Sequence, residues 1–435
     1  MPDLQILKVS TADIRANPRN SRTHSTRQVR QIAASIEQFG FTNPVLIDEE
    51  GMLIAGHGRL EAAKLLAIDS IPAIRITQLS DAAKRALMLA DNKIAANAGW
   101  DLDLLACELA DLSAMTLDFE LEVTGFETAE IDLIIKGADP EEEPETLDPI
   151  DESAPSVSDR GDLWIAGRHC ILCGDARNAE DMATLMRKDR ADVGFADPPY
   201  NVAIAGHVSG GGKITHREFA EAAGEMSEEE FTRFLTEAFD LAASHSRPGA
   251  VWFACMDWRH MSEILSAGKA SFGHLLNLCV WAKTNGGMGS LYRSQHELVF
   301  VFRNGTAAHR NNVELGKFGR NRTNVWSYPG VNTFRPGRME ELRAHPTAKP
   351  VPMVVDALLD VSRRGDIVLD PFLGGGATLI AGEKSGRNVR GLEIDPLYVD
   401  ATLRRWRKLT GEEPVRERDG RKFSEIENEI KEASK

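Results

Sequence analysis

The pattern of apolar and polar positions divides the chain into two parts of different character. In the first, TRQVRQIAASIEQFG repeats apolar residues at helical spacing and ends at Gly40, which predicts a helix with a glycine stop. PVLIDEEGMLIAG reads as a hairpin turning at Glu49-Glu50-Gly51, HGRLEAAKLLAI as a helix and IPAIRIT as a strand. SDAAKRALMLADNKIAANAGW and DLDLLACELADL return to helical spacing, with Ser80 and Asp101 as N-caps. In the second part, strand-like runs (RHCILCGD, ADVGFAD, AVWFACMD, LLNLCVWAK, ELVFVFRN, DIVLD, NVRGLEID) alternate with helical ones (AEDMATLMRK, SEEEFTRFLTEAFDLAA, VPMVVDALLDVSRR, ATLIAGEK, YVDATLRRWRKL). Such alternation predicts an α/β fold with a doubly wound sheet. Sheets of that kind hold ligands beyond the carboxyl ends of their strands, so chemistry is expected in the loops that follow strands.

The two parts are separated by ADPEEEPETLDPIDESAPSVSD, with four prolines, nine acids and few large apolar residues. It reads as an extended linker. The expected organisation is therefore an amino-terminal domain at 1–137, an acidic Pro-rich linker at 138–159 and a second domain at 160–435. The formal charge of −15 belongs to the first two of these: 160–435 holds 38 bases against 37 acids. An acidic whole chain therefore does not exclude a nucleic-acid partner for the second domain. At 42% apolar and 27% charged, whole-chain disorder is excluded. No apolar run approaches a membrane span and the amino terminus lacks a signal-peptide pattern, so a soluble cytoplasmic protein is expected. Five scattered cysteines fit reduced thiols. Cys170-x-x-Cys173 has no second pair and lies in a strand-like run, so no metal site is expected.

Three segments carry candidate chemistry. Asp197-Pro198-Pro199-Tyr200 follows the strand-like ADVGFA. Two prolines fix φ and remove two N–H donors, leaving stiff acceptors beside an aromatic ring. A carboxylate and a proline carbonyl suit the N–H groups of an exocyclic amine, and the ring suits the face of a flat base. A plain turn would also account for this tetrapeptide alone. The run from Asp370 through Phe372, Gly374 and Gly376 to Thr378 joins strand DIVLD to helix ATLIAGEK, where glycines admit a ligand to the backbone at a helix N-terminus. Glu393, ending the next strand, is placed for a ribose diol. The dinucleotide fingerprint fails at Leu379, and a phosphate loop fails around Lys213, with His207 and Ile214 at the required Gly and Ser/Thr positions. The pattern favours a nucleoside cofactor without a pyrophosphate. His345-Pro346-Thr347-Ala348-Lys349-Pro350 opens a helix, as an ordinary helix start also would.

In this order the three segments resemble the amino-methylating DNA methyltransferases that use S-adenosylmethionine, in the permuted β-class arrangement. The resemblance spans roughly 160–410. It implies a Rossmann-like S-adenosylmethionine-dependent methyltransferase domain. Asp197, Pro198, Pro199 and Tyr200 become catalytic. Asp175, Thr347, Lys349, Asp370, Phe372, Gly374, Gly376, Thr378 and Glu393 become cofactor residues, with Asp175 at the adenine, Glu393 at the ribose, and Thr347 and Lys349 at the methionine end. The family's Gly-Ser-Gly-Thr-Thr is here Gly374-Gly375-Gly376-Ala377-Thr378. The implied reaction is transfer of a methyl group to the N6 amine of adenine in double-stranded DNA after base flipping. Cytosine N4 is the alternative base, structured RNA an alternative substrate, and a catalytically silent DNA-binding partition or regulatory protein the alternative of another class. The resemblance allows a homodimer and gives the enzyme no membrane partner.

The stretch 303–343 holds eight Arg/Lys against three acids, with Trp326, Tyr328 and Phe334 interleaved. This suits phosphate and base contacts, and Arg310, Lys317, Arg320, Arg322, Arg335 and Arg338 are the expected DNA-binding residues. The Gly-rich 202–216 is expected to close over the flipped base. Residues 5–110 resemble the ParB/sulfiredoxin-like domain, through Asn17-Pro18-Arg19, GMLIAGHGRLEAAKLL and LADNKIAANAGWD. That resemblance implies a smaller α/β domain. The nucleotide site of this family would fall at Gly56-His57-Gly58-Arg59, which keeps one Arg of the family's pair.

Overall fold

The computed structural model describes residues 5–115, 117–138, 155–202, 222, 224–284, 286, 291–313, 322–329 and 349–433. Two compact units result, Met1–Pro140 and Glu141–Lys435. Among the described residues, no helix is long and apolar enough to cross a membrane.

The first unit has a four-stranded sheet in the order β1(Ile6–Ser10), β4(Ser70–Arg75), β2(Val45–Ile47), β3(Leu53–Ala55). The expected hairpin is β2–β3, which pair antiparallel. Its turn is closed by Asp48, whose carboxylate accepts from the N–H groups of Glu50 and Met52 at 2.9 and 2.7 Å. The helix α1(Thr26–Phe39) is capped by Ser25 and stopped at Gly40, and α2(His57–Leu65) follows β3. The core is small: Ile14, Val45, Ile47, Leu53, Leu60, Ala63, Ile71 and Ala73. Helices α3(Asp81–Ala96) and α4(Leu102–Ala114) start at the expected caps Ser80 and Asp101, and α5(Thr128–Ala138) ends the described part of this unit. Strand β1 and helix α5 are additions to the elements expected from sequence.

The second unit is built on a ten-stranded sheet in the order β11-β9-β10-β8-β7-β12-β13-β6-β5-β14. Its strands are β5(Leu163–Ala166), β6(His169–Cys173), β7(Ala191–Ala196), β8(Ser246–Met256), β9(Gly273–Ala282), β10(His296–Asn304), β11(Val325–Ser327), β12(Ile367–Asp370), β13(Asn388–Glu393) and β14(Val415–Arg416). Five central neighbours, β8-β7-β12-β13-β6, are all parallel. Strand β10 runs antiparallel to both β8 and β9. The chain order reverses between β7 and β12, and ligands of doubly wound sheets bind at such a switch point. Short β5, β11 and β14 lie at or near the sheet edges and escape the sequence pattern, as do α8(Met261–Phe272) and α12(Phe423–Ala433).

Helices cover both faces of the sheet. On one, α6(Ala179–Met186), α7(Glu228–Ser244) and α8 pack over Trp252, Phe300 and Phe302. On the other, α9(Val351–Val361), α10(Ala377–Ser385), α11(Pro396–Thr410) and α12 pack over Trp164, Phe195 and Trp281. Helix α7 begins with a capping box between Ser227 and Glu230. Gly194 of β7 is there for packing, because a Cβ would come 2.2 Å from the Trp252 ring that lies on it. The end of the acidic stretch also packs on this unit: the Val157 and Ser158 N–H groups donate to the buried Asp400 carboxylate at 2.7 and 3.0 Å.

Candidate active site

The parallel strands bring one carboxylate after another to the same edge of the sheet. Moving across it, Asp257 follows β8, Asp197 follows β7, Asp370 ends β12, Glu393 ends β13 and Asp175 follows β6. The two main motifs therefore leave adjacent strands at the switch point. Nothing local in either motif states this adjacency; the sheet order creates it.

Around Asp197 the charges form a closed set. Lys349 Nζ donates to Asp197 Oδ2 at 2.6 Å and lies 3.2 Å from Glu297 Oε2. Tyr200 Oη donates to Asp197 Oδ1 at 3.0 Å and contacts Glu297 Oε2 at 3.1 Å. Lys283 Nζ donates to the other Glu297 oxygen at 2.5 Å, with its ammonium 4.6 Å from the Trp281 ring centroid. The Lys349 ammonium lies 5.2 Å from the Tyr200 ring centroid. Burial raises the Asp197 pKa, opposed by Lys349 and reinforced by Glu297. Burial also works on Glu297, but the two lysines overcome it and hold its carboxyl down at about 2. The Lys349 ammonium is 3% exposed, and its two carboxylate partners raise its pKa against the pull of burial. Burial, with the two carboxylates, lifts the Tyr200 phenol well above its ordinary value and keeps it a donor. Glu297 and Lys283 are functional candidates that the motifs do not contain.

The second group of acids has a different environment. Asp370 accepts from the Phe372 N–H at 2.9 Å and from the Thr378 hydroxyl, and burial pushes it up to about 7. Glu393 accepts from the Gly374 and Asp395 N–H groups at 2.8 and 2.9 Å, and burial likewise pushes it up to about 7. The Phe372 ring lies 6.2 Å from that of Phe234, over which the Arg177 guanidinium sits at 4.9 Å. Asp175 holds Arg177 at 3.2 Å. A partly buried carboxylate, Glu393, at a strand end beside the partly buried Phe372 loop is chemically suited to a nucleoside with a free ribose diol.

The expected residues stand in different surroundings. Gly376, expected to make room for a ligand, has φ +75°, and a Cβ would come 2.7 Å from Thr402 of α11. Helix packing therefore demands this glycine. Asp370 and Thr378 are each 2% exposed and support the loop from beneath it. Lys349 turns its ammonium to Asp197 rather than into open space. Arg322 binds Asp356 and Asp360 at 3.1 and 2.8 Å and the Tyr328 hydroxyl at 2.9 Å, so its guanidinium is committed within the domain. Arg310 is exposed but follows the far end of antiparallel β10, at the edge opposite Asp197. Thr347, Lys317, Arg320, Arg335, Arg338 and most of 202–216 lie outside the described residues. In the first unit, Arg59 donates to the Asn43 and Pro44 carbonyls at 2.7 and 3.2 Å, tying down its own domain's backbone. Cys173 is a core thiol of β6, pushed by burial up to about 12.

A Rossmann-like sheet in which an Asp-Pro-Pro-Tyr loop and a glycine loop leave adjacent strands is the arrangement of a methyltransferase domain of the amino-methylating class. Comparison with known proteins agrees. Residues 191–404 match the family model described as DNA methylase, 103–160 that of the ParB-methyltransferase HTH domain, and 2–93 that of the ParB N-terminal domain. The type II methyltransferase M2.DpnII of Streptococcus pneumoniae is 28% identical over 232 residues, covering 51% of this chain and 84% of its own. The ParB-like nuclease domain-containing protein YnaK of Escherichia coli K12 is 59% identical over 66 residues, 15% of this chain and 76% of its own. Among solved structures, the M1.HpyAVI–SAM complex aligns with TM-score 0.38 and 18% identity, covering 54% of this chain and 98% of its own. The chain thus joins a segment that matches the DNA methylase family model to a ParB-type amino-terminal domain.

Proposed function

We propose that the protein transfers a methyl group from S-adenosylmethionine to the exocyclic N6 amine of adenine in duplex DNA, with the target base flipped out of the helix. The observation that carries this reading is the Asp197 carboxylate, fixed by Lys349 and Tyr200 at a strand end adjacent to the cofactor strand. Glu393, Phe372 and Asp175 are the residues that would hold the ribose and adenine of the cofactor. When bound, the cofactor supplies an electrophilic methyl group on a sulfonium.

The chain's own residues do the rest. An aryl amine is a poor nucleophile because its lone pair is shared with the ring. Asp197 and the Pro198 carbonyl accept from its two N–H groups and draw the lone pair back onto nitrogen. As nitrogen gains positive charge, the Asp197 carboxylate stabilises it, and fixed acceptors do this without reorganising. Lys349 favours the ionised form of Asp197 that this role requires. Neither proline has an N–H to compete for those acceptors. Tyr200, pinned by its hydroxyl, offers a fixed ring against the extruded base. Extrusion costs about a few kcal/mol, which base contacts must offset.

The lean to adenine comes from the DPPY sequence. Cytosine N4 presents the same two N–H groups to the same acceptors. Purified protein, labelled S-adenosylmethionine and mixed-sequence duplex DNA decide it by nucleoside mass spectrometry. N6-methyladenine is expected, falling at least ~10³-fold in Asp197→Ala, on the scale seen when a key electrostatic group is removed. N4-methylcytosine would correct the base, and no transfer to any DNA would overturn the reading.

A further inference from the structure

Of the expected DNA-binding residues that are described, Arg310 lies at the edge opposite Asp197 and Arg322 is held by Asp356 and Asp360. The edge that carries Asp197 has other basic and aromatic side chains. Strands β7 and β8 are parallel, so the turn after Met256 opens on the side where Asp197 stands. Strand β10 is antiparallel, with Leu298 opposite Met256, so the segment preceding His296 opens there too. The first turn presents Trp258, 50% exposed, with the Arg259 guanidinium 5.0 Å from its ring centroid. The second presents Leu291 and Tyr292, 83% and 82% exposed, followed by the exposed Arg293.

Large apolar side chains exposed together, with polar residues around them, mark an interaction surface. Those on the first turn are also held rigidly. Asp257 accepts from the N–H groups of Arg259 and His260 at 3.2 and 3.1 Å, and binds the His260 ring at 2.8 Å. The His260 ring packs edge-on against Phe231 at 5.3 Å, anchoring the turn to α7. The neck of the second segment is closed by Lys283 and Gln295, bonded both by backbone and through the Gln295 amide at 2.9 Å. A surface ordered in advance loses little entropy on binding.

We propose that Trp258, Arg259, Tyr292 and Arg293 form the duplex-contact surface beside the extruded base. Arg259 and Arg293 meet phosphates, while Trp258 and Tyr292 stack on bases left unpaired or unstacked by the extrusion. Positive charge next to aromatic faces is the chemistry of a nucleic acid with accessible bases. The inference rests on the base-flipping reading above and assigns its DNA contacts to particular residues.

Full-length W258A, R259A, Y292A and R293A test it, using fluorescence anisotropy with a mixed-sequence duplex and KM for DNA in the transfer assay. Each aromatic substitution is expected to weaken binding about 10-fold, the low end of one lost stacking contact. Each arginine substitution should flatten the salt dependence by about one phosphate contact. Binding of S-adenosylmethionine, measured by calorimetry, should stay within about twofold and so certifies the fold. Four variants that keep the wild-type duplex Kd, KM and salt slope would overturn the surface while transfer by the wild type continues. Tighter binding of RNA than of DNA duplex would also overturn it. A wild type that binds the duplex through these residues and transfers no methyl group would instead overturn the reading beneath it.

Discussion

Two groups of buried carboxylates stand side by side on one sheet edge, and they are balanced in opposite ways. Asp197 and Glu297 are matched by Lys349 and Lys283, charge for charge. Among the described residues, Asp370 and Glu393 are matched by N–H groups and a hydroxyl. Glu297 is consequently held near 2, whereas Asp370 and Glu393 sit near 7. Glu297, flanked by two ammonium groups, keeps its charge throughout the working range, and Lys349 opposes the burial that raises Asp197. An acid held by dipoles exchanges its proton near neutrality and is suited to a neutral diol. The edge thus separates a charged half, paired with lysines, from a titrating half, held by dipoles.

The largest effects test the charged half. The groups facing Asp197 are Lys349, Glu297, Tyr200, Cys255 and Asp370. Glu297 raises the Asp197 pKa and Lys349 lowers it. Glu297→Gln should therefore move the acid limb of kcat to lower pH, and Lys349→Met should move it to higher pH. Both should lower kcat by about 10- to 100-fold, the range of a lost charged hydrogen bond. A 13C-carboxyl titration, with Asp197 assigned by its loss in Asp197→Asn, reads the same shifts without turnover. Limbs that stay put, or move together, would mean these residues only support the fold.

The contrast also shows what the sequence can and cannot express. The doubly wound sheet was legible because alternating strands and helices are a local pattern, and the three motifs because two follow strands and the third opens a helix. Glu297 was not legible: it lies 97 residues from Tyr200, and only the antiparallel insertion of β10 beside β8 brings them together. Close approach by Thr402 gives Gly376 a packing reason that its sequence position does not reveal, since close approach by a cofactor imposes the same residue. Arg322 read as a DNA contact because a basic residue looks the same whether it faces solvent or carboxylates. Its partners Asp356 and Asp360, four apart on α9 and so on one helix face, were the available signal.

A smaller effect tests the titrating half. Glu393 has a folded pKa raised to about 7, so the folded chain holds a proton that the unfolded chain releases in the ordinary carboxylate range. Stability from this group is thus lost as pH rises from about 4.5 to about 7. Cofactor hydroxyls bind the ionised form better, so S-adenosylmethionine affinity should rise with pH through 7. Glu393→Gln should weaken that affinity by about 10-fold at pH 8 and flatten its pH profile, as loss of one charge-assisted acceptor predicts. Calorimetry at pH 6, 7 and 8 measures both. An unchanged profile in the variant would assign the titration elsewhere.

The smallest effect separates support from contact within the same half. Thr378 was expected at the cofactor, yet it is 2% exposed and its hydroxyl is bonded to Asp370. Thr378→Val keeps the shape and removes only that donor. Leaving a buried carboxyl one hydrogen bond short costs about 1–3 kcal/mol, and the lower end is expected because the Phe372 N–H remains. For a unit of this size that corresponds to a Tm lowered by roughly 2–4 °C. The deficit should grow with pH, since an ionised Asp370 has more need of the lost donor than a protonated one. Affinity for S-adenosylmethionine should stay within about twofold. The reverse result, a lost affinity with an unmoved Tm, would place Thr378 against the cofactor and make the dipole-held half of the edge a direct ligand contact at that depth.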